Sequence, residues 1–360
     1  MHVPFCRRKC RYCAFYSQKP KQQDVEGYLK ALRLEVSSWK RDMGTKPVVD
    51  SLYIGGGTPT CLTPEEWTIL IEILENGLSF SEGAEVSVEA NPDSLHPRHL
   101  ELWRSWRIGR ISLGIQSFSP LNLQWLGRLH DEKQAVSALE LCANRGFAVS
   151  GDLIFGIPGQ KLHSWHDDLR VLTRFAGHVS VYQLTAEPGT PLEGETVATQ
   201  AQGYPFYRFA QWYLARKGYL QYEVASFAKT GQWCRHNLSY WSQGNVLALG
   251  PSAWGYLDGL RYRNAGTLAD YLRQENEQRW EWTESLYGEK RAREAAILAL
   301  RTRWGIRWRF FRRRFGVEIA GKIGGILEGL PRDLFVRKNG CISFSQKGFR
   351  LANSIWERLV

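Results

Sequence analysis

The sequence predicts an α/β fold: a partial, open TIM-type barrel of six β/α units, followed by a smaller C-terminal domain of helices with a winged end. Between residue 24 and about residue 190, helical patterns alternate with short apolar runs, which indicates parallel strands connected by helices. A polar or glycine-rich stretch follows each apolar run, and ligands of parallel barrels bind at this carboxyl-terminal edge of the strands. The pattern changes after "EPGTPL", which indicates that the barrel ends there.

Five apolar runs and the helices between them define the predicted barrel. The strands are expected in "SLYIGGG", "VSVEANP", "RISLGIQSF", "GDLIFGIPG" and "VSVYQLTAEPG". The helices are expected in "VEGYLKALRLEVSSW", "PEEWTILIEILENG", "HLELWRSW" and "EKQAVSALELCANRG". The turn "GGGTPT" and the side chains of Glu89, Gln116, Asp152 and Gln183 should therefore meet at one mouth of the barrel.

The remaining sequence predicts two further regions. A helix near 204–218 is followed by a loop rich in polar and aromatic residues through 257, and helices resume near 266. The end, "DLFVRKNGCISFSQKGFRLANSIWERLV", predicts a strand, an Asn-Gly turn, a second strand and a helix, as in a small winged module. We expect the barrel over residues 1–195, an extension covering it over 196–262, and the C-terminal domain over 263–360.

Composition excludes several classes of protein. The chain has 360 residues, of which 43% are hydrophobic, and no run approaches the roughly 18 apolar residues of a membrane-spanning helix. The N-terminus has no apolar signal segment, so we expect a cytoplasmic location in which the seven cysteines are thiols or metal ligands. The net charge of +11 is compatible with an acidic ligand, an anionic membrane surface or nucleic acid, and does not choose among them.

Three of the cysteines, Cys6, Cys10 and Cys13, lie within eight residues near the N-terminus. Thiolates at these spacings can point inward from one loop, which suits an iron–sulfur cubane that uses three protein ligands and leaves the fourth iron open. A structural zinc site is an alternative, but it would need His2 or Cys61 as a fourth ligand. Burial of reduced cysteines in a core fits poorly, because basic residues at positions 7–9 and 11 separate them.

The spacing CxxxCxxC, with Tyr12 just before its last cysteine, resembles the signature of radical S-adenosylmethionine (SAM) enzymes. This resemblance implies a [4Fe–4S] cluster on Cys6, Cys10 and Cys13, whose open iron is chelated by the amino and carboxylate groups of SAM. It also implies the barrel, with the glycine motif holding the methionine amino group. The residues that it assigns to SAM are Tyr12, Phe15, Gly56, Gly57, Thr58, Glu89, Gln116, Arg128 and Asp152. Each of these alone would be unremarkable, and the resemblance assigns no catalytic residue.

Within that superfamily, the order of these residues resembles the subgroup of oxygen-independent coproporphyrinogen dehydrogenase and the HemW-type heme chaperones. The dehydrogenase has another cysteine two places after the third and a long N-terminal extension, whereas this sequence has Phe15 and only five residues before Cys6. The chaperones are the closer resemblance. Their first strand is usually fuller than "MHVP", so we expect either a truncated first strand or a translation start upstream of Met1.

The stretch "CRHNLSYW", residues 234–241, is similar to the chaperones' His-Asn-x-x-Tyr-Trp motif. The resemblance implies that His236, Asn237, Tyr240 and Trp241 bind heme, with His236 as a candidate axial ligand and the two rings packing on the porphyrin. The alternative is that His236 and Asn237 tie a loop over the barrel mouth by hydrogen bonds. Cys234 is a rival thiolate ligand, because Arg235 beside it would lower its pKa, or else a buried free thiol.

The stretch "RTRWGIRWRFFRRRFG", residues 301–316, carries seven arginines among aromatic residues. We interpret it as a helix of the C-terminal domain with its aromatic side chains in the core, and its arginines as sites for heme propionates, an acidic partner or an anionic membrane surface. Nucleic acid is not an expected partner, although such residues suit it.

The resemblance implies a heme chaperone with a [4Fe–4S] cluster, SAM and heme, whose partners are heme-acceptor proteins, membrane-associated ones among the candidates. A homodimer is a candidate assembly. The alternative function is oxidative decarboxylation of porphyrinogen propionates, as in the dehydrogenase.

Overall fold

The structure is a computed structural model that describes residues 1–273 and 280–360. Its largest feature is an eight-stranded sheet in which the first six strands of the chain are parallel and consecutive. These strands are β1 (His2–Val3), β2 (Val48–Gly56), β3 (Ser79–Ala90), β4 (Ile108–Gln116), β5 (Ala148–Phe155) and β6 (His178–Gln183). Two short strands continue the sheet: β8 (Ser226–Ala228) pairs antiparallel with β6, and β7 (Leu220–Gln221) pairs antiparallel with β8. The sheet is open, with edges at β1 and β7.

Seven helices accompany this sheet in the described chain. They are α1 (Gln22–Asp42), α2 (Pro64–Gly77), α3 (Pro97–Ser105), α4 (Pro120–Leu126), α5 (Glu132–Asn144), α6 (Leu162–Leu172) and α7 (Gln200–Arg216), with a 3₁₀ turn at Pro59–Cys61. Several begin at reciprocal capping boxes, in which the side chains of Thr63 and Glu66, or of Asp131 and Gln134, satisfy each other's backbone N–H groups. The alternation of strand and helix confirms the predicted open barrel.

A three-stranded antiparallel sheet follows the barrel. It contains β9 (Trp254–Leu257), β10 (Leu260–Asn264) and β11 (Trp280–Ser285); α8 (Arg235–Trp241) precedes it in the chain, and α9 (Leu268–Arg273) lies between β10 and β11. The region expected as a loop through residue 257 thus contains β7, β8, α8 and β9. Since side chains from the barrel through Tyr271 belong to one core cluster, this sheet packs with the barrel.

A second apolar core, between Ala292 and Leu359, belongs to the C-terminal unit. Its elements are α10 (Gly288–Leu300), β12 (Ile306–Arg307), α11 (Trp308–Phe315), α12 (Val317–Glu328), β13 (Phe335–Lys338), β14 (Cys341–Phe344), α13 (Gln346–Arg350) and α14 (Ala352–Trp356), with a 3₁₀ turn at Arg332–Leu334. Asn339 and Gly340 have φ values of 51° and 70°, as the tight hairpin turn between β13 and β14 requires. The predicted Asn-Gly hairpin is confirmed.

The expected domain boundaries stay predictions. Residues 262 and 263 both lie within β10. The buried residues of the first apolar core end at Tyr271, and those of the second begin at Ala292. Among the described residues, no helix combines the length and apolar character that crossing a bilayer demands.

Candidate functional site

The three N-terminal cysteines lie on one loop, which leaves β1 and closes on itself at Gln18. The Cys6 N–H donates to the Gln18 carbonyl at 2.9 Å, and the Gln18 N–H donates to the Pro4 carbonyl at 2.9 Å. Inside the loop, the Cys13 N–H donates to the Cys10 carbonyl at 3.3 Å. All three thiols are half-buried and free of disulfides. The loop therefore presents three available thiols within one turn-rich segment.

The thiols of this loop lie close enough to influence one another electrostatically. Burial raises the pKa of Cys6 and Cys13, and in both cases the neighbouring thiols of the loop raise it further. The Thr58 hydroxyl lies 3.2 Å from the Cys6 sulfur. Three thiolates held together need a compensating positive charge, which bound metal supplies.

A mononuclear zinc site is the alternative to a cluster at these three thiols. A single zinc ion needs its ligands converging at about 2.0–2.3 Å from one point. The His2 Nε2, however, lies 3.0 Å from the Tyr16 carbonyl and is already hydrogen-bonded. A multi-iron cluster fits the three thiols better, because each thiolate binds a different iron.

The glycine turn after β2 is tightly packed against β1 and β3. A Cβ on Gly56, whose φ is 106°, would lie 1.9 Å from the His2 ring, and a Cβ on Gly55 would lie 2.6 Å from the Glu89 carboxylate. The N–H groups of residues 55, 57 and 58 donate to the carbonyls of residues 1, 3 and 5, and the Gly56 N–H donates to Glu89 at 3.1 Å. The backbone of this turn can therefore offer a ligand only carbonyl oxygens, which suit an ammonium group.

Two carboxylates, Glu89 and Asp152, lie inside the barrel near this turn. Burial raises the pKa of Glu89 to about 7, with the Asp152 charge as the second cause. Burial also raises the pKa of Asp152 to about 6, although hydrogen bonds from Ser180 and Ser112 oppose the shift. Such carboxylates can accept hydrogen bonds from ribose hydroxyls or an ammonium group.

Arg128 joins the cysteine loop to the ends of β3 and β4. Its Nη2 donates to the Asn91 Oδ1 and to the Gly114 carbonyl, both at 2.7 Å, and its Nη1 donates to the Cys10 sulfur at 3.4 Å. Its Nε is buried and has no hydrogen-bond partner among the described residues. A buried donor without a partner points to a bound acceptor, and the carboxylate of an amino-acid ligand has that chemistry.

Asn91 is a site residue that the sequence did not single out. Its Nδ2 donates to the Thr58 hydroxyl at 2.9 Å, while its Oδ1 accepts from Arg128. Thr58, Asn91 and Arg128 thus form a continuous chain of contacts from Cys6 to Cys10. Its position two residues after Glu89, at the end of a strand, is the signal that could have identified it.

Gln116 ends β4 in the left-handed region, with a φ of 66°, which is uncommon for a residue other than glycine. The segment after it is held by Asp168 of α6, whose carboxylate accepts from the Phe118 N–H at 2.6 Å and from the Ser117 hydroxyl at 2.9 Å. Asp168, a second residue that the sequence did not identify, therefore fixes the turn that orients Gln116.

The other predicted residues of the mouth differ in their surroundings. Tyr12 packs against Leu126 and other apolar side chains beyond β5. Phe15 is 68% exposed. Gln183 donates from its Nε2 to the carbonyls of Ala198 and Thr199, so it anchors the start of α7. The assignment of residues to SAM stays a prediction, while the cysteine loop, the glycine turn, Glu89 and Arg128 are brought together.

The His-Asn-x-x-Tyr-Trp segment lies at the opposite end of the barrel. The His236 Nδ1 lies 2.8 Å from the Ser51 hydroxyl, and the His236 N–H donates to the Glu85 carboxylate at 3.1 Å. Ser51 and Glu85 are register partners, each five residues before the carboxyl end of its strand, a distance of about 16 Å along a strand. The hydrogen bonds of His236 expected in the alternative are present, but they join this segment to β2 and β3 away from the glycine turn.

Helix α8 closes this amino-terminal end of the barrel through buried polar contacts. Arg110 donates from its Nη2 to the carbonyls of Gln232 and Trp233, and its Nε lies 3.5 Å from the Glu85 carboxylate. Burial raises the pKa of Cys234 to about 12, and Glu85 beside it raises that pKa further, so the expected lowering by Arg235 does not occur. Cys234 is thus a buried thiol.

The motif residues on α8 face two different ways. His236 is 8% exposed, its ring stacks on Tyr53 at 5.4 Å and meets the Tyr240 ring edge-on at 5.1 Å. Trp241 lies instead under the Arg301 guanidinium, 4.2 Å from it. The Asn237 N–H lies against the Cys234 thiol. The heme-binding roles of these residues stay predictions.

Comparison with known proteins places this site in a family. The model of the radical SAM superfamily matches residues 1–172. The heme chaperone HemW of Bacillus subtilis (strain 168) is 32% identical over 368 aligned positions, which cover 99% of this chain and 97% of that protein. The heme chaperone HemW of Mycobacterium tuberculosis (strain ATCC 25618 / H37Rv) is 36% identical over 76% of this chain and 73% of its own length.

Among solved structures, coproporphyrinogen III oxidase (HemN) from Escherichia coli, a radical SAM enzyme, has a similar fold. Its TM-score is 0.86 over 99% of this chain and 88% of that chain, at 22% identity. This likeness extends the shared fold through the C-terminal unit. Because the similarity to HemW runs from the cysteine loop to the last helix, the chain belongs to the family of the heme chaperone HemW, within the radical SAM superfamily.

Proposed function

We propose that this protein binds heme and hands it to acceptor proteins, and that it holds a [4Fe–4S] cluster and SAM at the carboxyl-terminal mouth of its barrel. The observation that carries this proposal is the 32% identity to a heme chaperone over 99% of the chain. An alignment limited to the barrel would have supported only the cluster and SAM, since barrels of this kind host unrelated functions.

The cysteine loop supplies the cluster ligands in this proposal. Cys6, Cys10 and Cys13 each bind one iron, and the fourth iron is left for the amino and carboxylate groups of SAM. When bound, the cluster and SAM supply one-electron reduction of the sulfonium and radical chemistry. The hydrogen bonds at Cys6 and Cys10, from Thr58 and Arg128, orient two of the three sulfurs.

The rest of the mouth binds SAM through complementary charges. Glycine-turn carbonyls and the Glu89 carboxylate accept from the ammonium group and the ribose, while the free Nε of Arg128 pairs with the carboxylate. Asn91 and Asp168 position Arg128 and Gln116. Tyr12, Phe15 and Asp152 complete the proposed set.

The alternative function, oxidative decarboxylation of a porphyrinogen, has weaker support. The similarity in fold to HemN is high, but at 22% identity it concerns the fold alone. Phe15 replaces the additional cysteine that the resemblance assigns to the dehydrogenase.

Three further parts of the proposal rest on composition and on the resemblance. These are a cytoplasmic location, acceptor proteins that include membrane-associated ones, and a homodimer. The net charge of +11 favours contact with acidic partners or an anionic membrane surface over contact with basic ones.

The experiment that tests the proposal is a hemin titration of the anaerobically reconstituted protein, with coproporphyrinogen turnover measured on the same sample. We expect a shifted heme absorbance that saturates near one equivalent, and no turnover. Turnover to protoporphyrinogen, or the absence of any heme shift, would contradict the chaperone. Replacing Cys6, Cys10 and Cys13 together by alanine should abolish cluster iron, and retained cluster iron would contradict the ligand assignment.

A further inference from the structure

A groove separates helix α8 from the C-terminal unit. Its volume is about 590 Å³, within the usual range of ligand sites, and it is open to solvent along one side. Residues of α8, of the amino end of β2, and of the segment from α10 to α11 line it. The groove is therefore separate from the barrel mouth and joins the two units of the fold.

The walls of the groove are largely aromatic. Trp241 comes from α8, Trp304 from the turn before β12, and Phe310, Phe311 and Phe315 from α11. Phe310 is 59% exposed, so its ring is available to a ligand. Trp304 is held edge-on against Trp233 at 5.2 Å, and Trp241 is held beneath Arg301. Flat walls of this kind suit a flat aromatic ligand.

Three guanidinium groups border these aromatic walls, those of Arg235, Arg307 and Arg314. Arg235 donates to the Gly83 carbonyl at 2.8 Å, and Arg314 donates to the Gln243 Oε1 at 2.9 Å. Across the described residues, none of the three is paired with a carboxylate, although Asp50 also lines the groove. Three positive charges against one negative charge favour an anionic ligand.

The surroundings of Arg314 show the same excess of positive charge. Burial lowers its pKa, and the neighbouring Arg291 lowers that pKa further. Arg314 hydrogen-bonds to the neutral amide of Gln243, and the Asp258 carboxylate opposes the lowering of its pKa without cancelling it, so a ligand carboxylate beside Arg314 would add a charge-assisted hydrogen bond.

The lining of the groove contains no iron ligand. None of the residues that line it is histidine, cysteine, methionine or tyrosine. His236 is not among the lining residues: its ring stacks on Tyr53, although its Nδ1 lies 2.8 Å from the hydroxyl of Ser51, which does line the groove. A metalloporphyrin in the groove would thus be held by its ring and its carboxylates.

We propose that this groove is the heme site, in which the aromatic walls contact the porphyrin ring, Arg307 and Arg314 bind the propionates, and the lining leaves the iron without a protein ligand. The inference rests on the proposed heme-binding function. It adds where the heme binds and which parts of the heme the protein contacts. Binding by the porphyrin, and not by the metal, leaves the iron free for a ligand of the acceptor, which suits transfer.

The test is a titration of the full chain, once with hemin and once with iron-free protoporphyrin IX. Quenching of tryptophan fluorescence measures the binding of each ligand. We expect the two Kd values to agree within about threefold, because the iron makes no protein bond. The double variant Arg307→Ala/Arg314→Ala should weaken both ligands at least tenfold, through the loss of charge-assisted hydrogen bonds. Arg312→Ala/Arg313→Ala is the matched control on α11, the helix that carries Arg314; both residues lie outside the groove lining, and this variant should bind like the wild type.

A second test changes the ligand and keeps the wild-type protein, so its result does not depend on whether a variant folds. The dimethyl ester of protoporphyrin IX, which lacks propionate charge, should bind the wild type at least tenfold more weakly than the free acid. If hemin binds and the free porphyrin does not, or if the groove variants bind hemin normally while His236→Ala abolishes binding, the groove proposal is wrong and the proposed function stands. If hemin does not bind the wild type at all, the proposed function itself fails.

The same variants distinguish other anionic occupants. If the arginine pair is required for binding to vesicles containing anionic phospholipid but not for binding to hemin, the groove belongs to a membrane contact and the proposal is overturned.

Discussion

Glu89 connects the electrostatics of the barrel interior to the glycine turn. Its carboxylate accepts from the Gly56 N–H, and its pKa is raised to about 7 by burial, with the charge of Asp152 as the second cause. The protein without ligands therefore keeps part of this site protonated near neutral pH. A bound ammonium group would reverse that preference, because it favours the charged carboxylate.

This shift predicts a pH dependence of stability. A carboxyl group with a raised pKa in the folded state stabilises the fold below its unfolded value of 4.5, and this contribution is lost as the pH rises through about 7. The Glu89→Gln variant lacks the ionisation, so its free energy of unfolding should rise relative to the wild type by about 1–3 kcal/mol between pH 5 and pH 8. Urea unfolding of the ligand-free proteins measures this, and parallel curves for the two would contradict the assignment.

At the scale of elements, the glycine turn is where β1, β2 and β3 come closest. Gly56 lies against the His2 ring, and its N–H reaches Glu89, so one backbone position holds the cysteine loop's strand and the buried acid in place. The positive φ of Gly56 and the contact with His2 both require the absence of a Cβ.

A pair of alanine substitutions separates these two requirements. Gly83 also has a positive φ, of 67°, but a Cβ there would meet nothing within 4 Å. Gly83→Ala should cost about 1 kcal/mol from backbone strain, whereas Gly56→Ala should cost about 2–4 kcal/mol, since strain and a clash with His2 add. Thermal and urea unfolding compare the variants, and equal losses would show that the contact with His2 relaxes without cost.

Elements with local signals were predictable from the sequence. The strand–helix repeats and the Asn339–Gly340 turn follow from periodicity and from turn chemistry over a few residues. The place of α8 was not predictable, because it depends on contacts such as that of His236 with Glu85, which are 151 residues apart. Asn91 had a local signal in its place at the end of a strand, two residues after Glu89, but its contacts were not predictable, because Thr58 and Arg128 come from two other segments.

At the scale of the whole molecule, the proposed sites lie at opposite ends of the barrel. The cysteine loop and the glycine turn occupy the carboxyl ends of the strands, whereas α8 covers the amino ends and its outer face forms the groove with the C-terminal unit. Tyr53 lies between them, with its ring on His236 and its hydroxyl near the Glu89 charge. Heme in the groove would therefore remain accessible to an acceptor while the mouth is occupied.

The most direct measurement of the central claim is the rate of heme transfer from the loaded protein to heme-free cytochromes, both membrane-bound and water-soluble, followed by their Soret absorbance. Apomyoglobin serves as a passive sink that reports spontaneous release. The account predicts that at least one cytochrome takes up heme faster than apomyoglobin, at a rate that rises with its concentration, because heme passes within a complex of the two proteins. Uptake by every cytochrome at the spontaneous release rate, independent of acceptor concentration, would contradict it.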